Sequence, residues 1–176
     1  HEDEKIQELV LNLSEHLRYL LRAEQETVPL SRELAFVENY IGLQKHVTGR
    51  PVTSEITVDP EVEDWQVPIL SVQTFVENSI KYGFQKKPCI HIRVRGWLGE
   101  DALYFTVEDN GGGVDETMLE QLRDILRSDE VNIEHNGLQN INRRIWLGYG
   151  GDSGLTIDST EGEGFTVKLK LRLGGM

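Results

Sequence analysis

The first 48 residues repeat apolar side chains at the spacing of two helices. Residues 3–23 carry the first pattern, a heptad-like seam with charges on the other positions. A polar turn with Thr27 and Pro29 follows, and a second amphipathic helix is predicted over 31–47, with Ser31 as its N-cap. Two neighbouring helices joined by a short turn indicate an antiparallel hairpin.

Beyond residue 48 the pattern changes to strands mixed with helices. We predict, in chain order, a strand over 51–58, a helix over 68–82 that ends at Gly83, strands over 90–97 and 103–109, a helix over 115–127, a polar loop over 128–136, a helix over 137–147, and strands over 154–159 and 165–173. Pro68 suits the first turn of its helix, where a missing N–H costs nothing. This order predicts an α/β fold, a two-layer sandwich of a mixed β-sheet with helices on one face, preceded by the α-helical hairpin. The expected domains are 1–48 and 49–176.

Composition and charge exclude several classes of protein. The 176 residues carry a formal net charge of −12, so no basic field is available to attract nucleic acid or an anionic membrane. Cys89 is the single cysteine, which excludes an internal disulfide and suits a reducing compartment. No apolar run is long enough to span a bilayer. Because the chain begins at His1 rather than methionine, we expect it to be part of a longer protein.

Glycines gather where strands end and where a helix begins. Residues 105–114 read FTVEDNGGGV, so the acidic residue Asp109 closes a strand and three glycines follow it. Such a sequence can be an ordinary turn, or it can let backbone approach a ligand closely. A strand-end aspartate suits an adenine amino group, and Gly137 at the start of a helix suits a phosphate.

One face of the helix predicted over 68–82 is polar. Thr74, Asn78, Lys81 and Tyr82 fall on one stripe, which is either a solvated face or part of a site. An asparagine amide oxygen can bind Mg²⁺, and Lys81 could face a phosphate. Neither a Walker A motif nor a dinucleotide GxGxxG motif is present. A nucleotide site here needs another architecture.

Four segments together resemble a known family. Residues 76–83, VENSIKYG, resemble the N box of histidine-kinase ATPase domains, and 109–113, DNGGG, resemble their G1 box. Residues 136–141, NGLQNI, with Arg143 and Arg144, resemble the G2 box, and 162–164 the last glycine segment. Their order is similar to that of the ATP-binding fold shared by histidine kinases, gyrase, Hsp90 and MutL. Residues 67–78 and 30–45 are in addition similar to stretches of LytS/YesM-type sensor kinases.

The resemblance implies a protein-histidine kinase that uses ATP with Mg²⁺. Asn78 would bind the metal and Asp109 would accept a hydrogen bond from adenine N6. Glu77 would act with Asn78 as a catalytic residue near the γ-phosphate, and the loop from about Gly113 to Gly137 would form an ATP lid. Further nucleotide contacts are implied for Lys81, Tyr82, Gly111, Gly113, Gly137, Leu138, Gly162 and Gly164.

The resemblance also implies partners and a location. The γ-phosphoryl group would pass to a histidine upstream of His1 and then to a response regulator, and the full-length protein would be a homodimer anchored in a bacterial membrane with this region in the cytoplasm. His16 is the one alternative acceptor on the first helix, although Glu15 precedes it and its neighbours favour a surface position. The histidines show no zinc-ligand spacing with Cys89. His135 stands where the family usually has the first glycine of its G2 box.

Two other functions stay open on the sequence. A regulatory nucleotide-binding module without kinase activity would carry the same ATP-site motifs. A gyrase- or Hsp90-like ATPase is disfavoured, because those proteins place a carboxylate base one turn before the metal asparagine, and Thr74 occupies that position here.

Overall fold

The computed structural model describes residues 27–128 and 136–172. The helix predicted over 3–23, with His16, lies outside the described residues, as does His135 with most of the predicted 128–136 loop. Within 27–128 and 136–172, no helix is long and apolar enough to cross a bilayer.

Seven strands and four helices make up the described chain. They are β1 (Thr27–Pro29), α1 (Leu30–Thr48), β2 (Val52–Val58), β3 (Gln66–Pro68), α2 (Ser71–Lys86), β4 (Ile90–Leu98), β5 (Ala102–Asp109), α3 (Glu116–Arg127), α4 (Asn136–Tyr149), β6 (Gly154–Thr160) and β7 (Gly164–Arg172). A short 3-10 turn, Pro60–Val62, lies between β2 and β3. Most of the predicted strands and helices are confirmed to within two residues.

Five strands form one mixed sheet in the order β2–β4–β5–β7–β6. β2 pairs parallel with β4, and the other neighbours pair antiparallel. Burial alternates along β4, where Ile90, Ile92 and Val94 face the helices and Arg93 and Arg95 face away. One face of the sheet therefore carries the helices and the core, which confirms the predicted α/β sandwich.

Helix α1 packs into the same core as the sheet. Leu30, Val37 and Ile41 are buried against the strands and α2, although the predicted boundary after residue 48 separates this helix from them. Ser31 is not the N-cap, because the helix already begins after Pro29 and no side chain caps it there. Instead the N–H groups of Leu30 and Ser31 donate to the carbonyls of Trp65 and Glu63, both at 2.8 Å.

Helix α2 begins and ends later than the sequence predicts. Pro68 lies in β3, which pairs with β1 in a two-stranded sheet that the sequence pattern does not reveal. Gly83 is inside the helix and not its C-terminal cap, so the helix continues by one turn. A Cβ at Gly83 would lie 2.5 Å from Cδ1 of Ile90, so this glycine allows α2 to approach β4 closely.

Candidate functional site

A pocket opens between α2, the end of β5, and the N-terminal parts of α3 and α4. Its volume is about 270 Å³, close to the lower end of small-molecule sites. Most of its wall is apolar. The lining residues are Phe75, Asn78, Ser79, Tyr82, Gly83, Gln85, Lys86, Asp109, Gly112, Gly113, Val114, Met118, Leu122, Gly137, Leu138, Phe165 and Val167.

Asp109 is the acidic group of this pocket. Its carboxylate accepts hydrogen bonds from the Ser79 hydroxyl and from the backbone N–H groups of Gly111 and Phe165, the Gly111 bond measuring 2.8 Å. Burial raises the pKa of Asp109 above its ordinary value, against these three hydrogen bonds, which lower it. Because a carboxylate offers about four lone-pair positions, one acceptor position remains for a ligand amine.

The polar stripe of α2 is divided between the pocket and the surface. Asn78 and Tyr82 line the pocket, and their contacts with Mg²⁺ and nucleotide stay predictions. No described residue forms a hydrogen bond with the Asn78 amide, so its oxygen is available to a ligand. Lys81 is exposed, and its ammonium lies 5.0 Å from the centroid of the Tyr82 ring instead of in the pocket lining.

Glu77 points to the opposite side of α2. One of its carboxylate oxygens accepts a hydrogen bond from the Gln73 side chain one turn earlier. Burial, together with the negative charge of Glu77, raises the pKa of Tyr40 on α1 to about 12. Glu77 is absent from the pocket lining, and its role at a γ-phosphate stays a prediction.

The glycines of these segments allow close packing of backbone around the pocket. A Cβ at Gly164 would lie 1.9 Å from the Asp109 carbonyl oxygen, and one at Gly113 would lie 2.2 Å from the Thr160 carbonyl oxygen. The N–H of Gly162 donates to the carbonyl of Gly112 at 2.8 Å. These glycines bring the β6–β7 turn against the segment after Asp109. Gly113 and Gly137 also line the pocket, whereas Gly111, Gly162 and Gly164 do not.

Two polar residues of the site escaped the sequence analysis. Ser79 follows Asn78 directly and is buried. In the sequence it falls on the apolar face of the predicted helix, so nothing there marks it as a site residue. Lys86 lines the pocket and donates to the carbonyl of Gly113 at 3.0 Å. It was missed because the helix was predicted to end at Gly83, and only the extra turn brings Lys86 to the pocket.

The donor set fits a magnesium ion carried in by a phosphate ligand. In the described part of the chain, no group of three or more His, Cys, Asp or Glu side chains could hold a metal ion. Asn78 offers one oxygen at the pocket, and Mg²⁺ often takes its remaining ligands from phosphates and water. The N-terminus of α4 beside Gly137 presents backbone N–H groups suited to phosphate.

Two family models and curated proteins match this chain. A family model described as histidine kinase-, DNA gyrase B-, and HSP90-like ATPase matches residues 68–175, and one described as histidine kinase matches residues 1–51. The sensor protein kinase HptS of Staphylococcus aureus (strain USA300) is 29% identical over 167 residues, which cover 95% of this chain and 32% of that protein. The chain thus spans about a third of the length of this curated relative.

Solved structures share the fold at low identity. The histidine kinase domain of the Erythrobacter litoralis blue-light activated histidine kinase gives a TM-score of 0.54 at 20% identity, covering 84% of this chain and 68% of that one. The catalytic domain of histidine kinase ThkA gives 0.57 at 13% identity, covering 83% and 94%.

The match over 68–175 takes in more than half of the chain, and it contains α2, Asp109, the glycine segments and the whole pocket lining. The chain therefore belongs to the family of histidine kinase-, DNA gyrase B- and HSP90-like ATPases, with an ATPase domain of the histidine-kinase type.

Proposed function

We propose that this chain is the catalytic ATP-binding region of a two-component sensor histidine kinase. It would use ATP to phosphorylate a histidine upstream of residue 1, from which the phosphoryl group passes to an aspartate of a response regulator. The parent protein would be a membrane-anchored homodimer with this region in the cytoplasm. Residues 1–48 would complete the dimerisation and phosphotransfer region, and 49–176 would form the ATP-binding domain.

The observation that carries the proposal is the hydrogen bonding of Asp109. Three donors fix this carboxylate and leave one acceptor position in a mostly apolar pocket. The adenine N6 amine is a donor of the right kind for that position. A guanine base presents a carbonyl oxygen in place of the amine, so two acceptors would face each other and GTP should bind more weakly.

The other residues of the pocket have separate tasks in this proposal. Asn78 would hold Mg²⁺ through its amide oxygen, and the start of α4 at Gly137 would receive phosphate. When bound, Mg²⁺-ATP supplies the phosphoryl group and the cation that offsets its negative charge. The apolar wall, which includes Leu138 and Phe165, would exclude water from the base. A direct role for Glu77 at the γ-phosphate stays a prediction.

Calorimetric titration with Mg²⁺-ATP tests the adenine role of Asp109. Asp109→Asn replaces the acceptor with an amide and should weaken ATP binding by about 1–3 kcal/mol, the scale of leaving a buried donor unpaired. Asp64→Asn is the matched control, because Asp64 is exposed and is not part of the pocket lining. Equal affinity in the wild type and Asp109→Asn would remove Asp109 from the adenine role, and equal binding of GTP and ATP would contradict recognition through the amine.

A further inference from the structure

The start of helix α2 is capped by a buried carboxylate from helix α1. Glu33 is 0% exposed, and its two carboxylate oxygens accept the backbone N–H groups of Leu70 at 2.7 Å and Val72 at 3.1 Å. Leu70 precedes the helix in the left-handed region, with φ of 64°, which a non-glycine residue seldom adopts. Glu33 therefore holds the entry of the chain into α2 in an uncommon conformation.

The end of the same helix is capped by a cation that follows α1. The Arg50 guanidinium donates through Nη1 to the Phe84 carbonyl at 3.0 Å and through Nη2 to the Lys87 carbonyl at 2.9 Å. Its central carbon lies 4.2 Å from the centroid of the Phe84 ring. The last carbonyls of a helix have no partner within the helix, so Arg50 satisfies two groups that would otherwise need water.

Both contacts have the sign that the helix favours. A helix carries partial positive charge at its N-terminus and partial negative charge at its C-terminus, where an anion and a cation respectively are stabilising. The two charges come from one short segment, residues 33–50, so α1 lies beside α2 and runs in the same direction. Between them, the Glu77 charge acts on Tyr40, which places the middles of the two helices together as well.

Helix α2 carries the polar side of the nucleotide pocket between these two caps. Asn78, Ser79 and Tyr82 line the pocket from the turns that separate Val72 from Phe84. We propose that Glu33 and Arg50 are positioning residues that fix α2 along its axis and thereby set the place of the Asn78 amide in the nucleotide site. This inference rests on the proposed function, because it concerns the same site. If Glu33 and Arg50 act in this way, α1 is the element that links the segment before it to nucleotide binding.

The test compares the affinity for nucleotide with and without magnesium in matched variants of the full 176-residue chain. Glu33→Gln removes the negative charge and one of the two acceptor oxygens, and Arg50→Gln removes the guanidinium. Glu38→Gln and Arg32→Gln change the same residue types on the exposed face of α1. Each variant is titrated with ATP in Mg²⁺ and in EDTA, and its unfolding in urea is recorded so that titrations are made on folded protein.

The expected result is specific to the metal-dependent part of binding. Glu33→Gln and Arg50→Gln should raise the Kd of Mg²⁺-ATP by about 10-fold, the lower end of the loss caused by removing groups that orient a metal ligand. The Kd in EDTA should change less, and both control variants should match the wild type. Arg50→Lys keeps the charge but lacks the planar pair of N–H donors that binds the two carbonyls, so its Kd should be intermediate.

Two results would overturn the inference, and they differ from failure of the proposed function. Lower stability in urea with unchanged Kd of the folded protein would make Glu33 and Arg50 structural only. An equal loss of affinity with and without Mg²⁺ would mean that Glu33 and Arg50 do not act through the Asn78 amide. If Glu33→Gln does not fold, Arg50→Gln decides, since Arg50 is only half-buried. Absence of ATP binding in the wild type and both controls would instead overturn the proposed function, and this inference with it.

Discussion

Gly164→Ala should disturb the Asp109 site more than an alanine substitution at any other glycine of the β6–β7 turn. Gly164 opens β7 opposite Thr160, and its own strand lies against the end of β5. An alanine Cβ here would lie 1.9 Å from the Asp109 carbonyl oxygen and 3.0 Å from the carbonyl carbon. Because the obstacle is backbone and not the end of a flexible side chain, the two strands must separate by about 1 Å to restore ordinary contact.

The magnitude follows from two effects that act together. The φ of Gly164 is +156°, where side chains are rare, and a residue held in such a region costs about 1–3 kcal/mol. Overpacking of a well-packed interior costs about 1–3 kcal/mol more. We therefore expect Gly164→Ala to lower the free energy of unfolding by about 3–5 kcal/mol, a large share of the roughly 5–15 kcal/mol of an ordinary domain. ATP affinity should fall too, because the displaced carbonyl belongs to Asp109.

Urea unfolding of three alanine variants measures this. Gly162→Ala is the closest control: its φ is +83° but no described atom lies within 4 Å of the added Cβ, so only the conformational cost of about 1–2 kcal/mol applies. Gly42→Ala, inside α1 with open space around it, should raise stability by about 0.5–1 kcal/mol. The reasoning is refuted if Gly164→Ala loses no more stability than Gly162→Ala.

Two further predictions concern Asp109 and the phosphoacceptor. Burial raises the pKa of Asp109, so the stability contributed by its protonated form is present at acidic pH and lost as the pH rises through the raised pKa. In urea unfolding, Asp109→Asn should therefore gain stability relative to the wild type as the pH rises over that range. A loss of stability relative to the wild type would contradict the burial argument. Incubation with γ-labelled ATP should leave this chain unlabelled, whereas a longer chain with the upstream helix should form an acid-labile phosphohistidine. Labelling of this chain that disappears in His16→Gln would instead place the acceptor in residues 1–24. A longer chain that binds ATP but is never labelled would favour a regulatory module.

The fold class could be predicted because hydrophobic periodicity is clear in several long elements. Strands such as β4 alternate buried and exposed residues, and α3 repeats apolar residues at helical spacing. A short stretch of sequence is therefore enough to predict each of these elements. β1 and β3 have three residues each, which is too short for any period to show. The start of α2 was misplaced for a related reason, because Pro68 suits both the first turn of a helix and the end of an edge strand.

The glycine segments could be located from the sequence, but their physical role could not. Close approach of a ligand and close approach of backbone both require the absence of a Cβ. Only the distances show that Gly113 and Gly164 make room for the carbonyls of Thr160 and Asp109. Gly164 therefore shapes the pocket from behind, by setting where Asp109 lies, whereas Gly113 and Gly137 line the pocket together with the apolar wall and α2.

The role of α1 could not be predicted because its contacts join distant parts of the chain. Glu33 lies 37 residues before Leu70, and the sequence showed it only as an acidic residue in a first helical turn. The histidine kinase match ends at residue 51 and the ATPase match begins at residue 68, which assigns α1 and α2 to different units. In the structure Val37 and Ile41 share one core with Phe75 and Val76. Since a close-packed core moves as a body rather than deforming continuously, a displacement of α1 would carry α2 and its Asn78 with it.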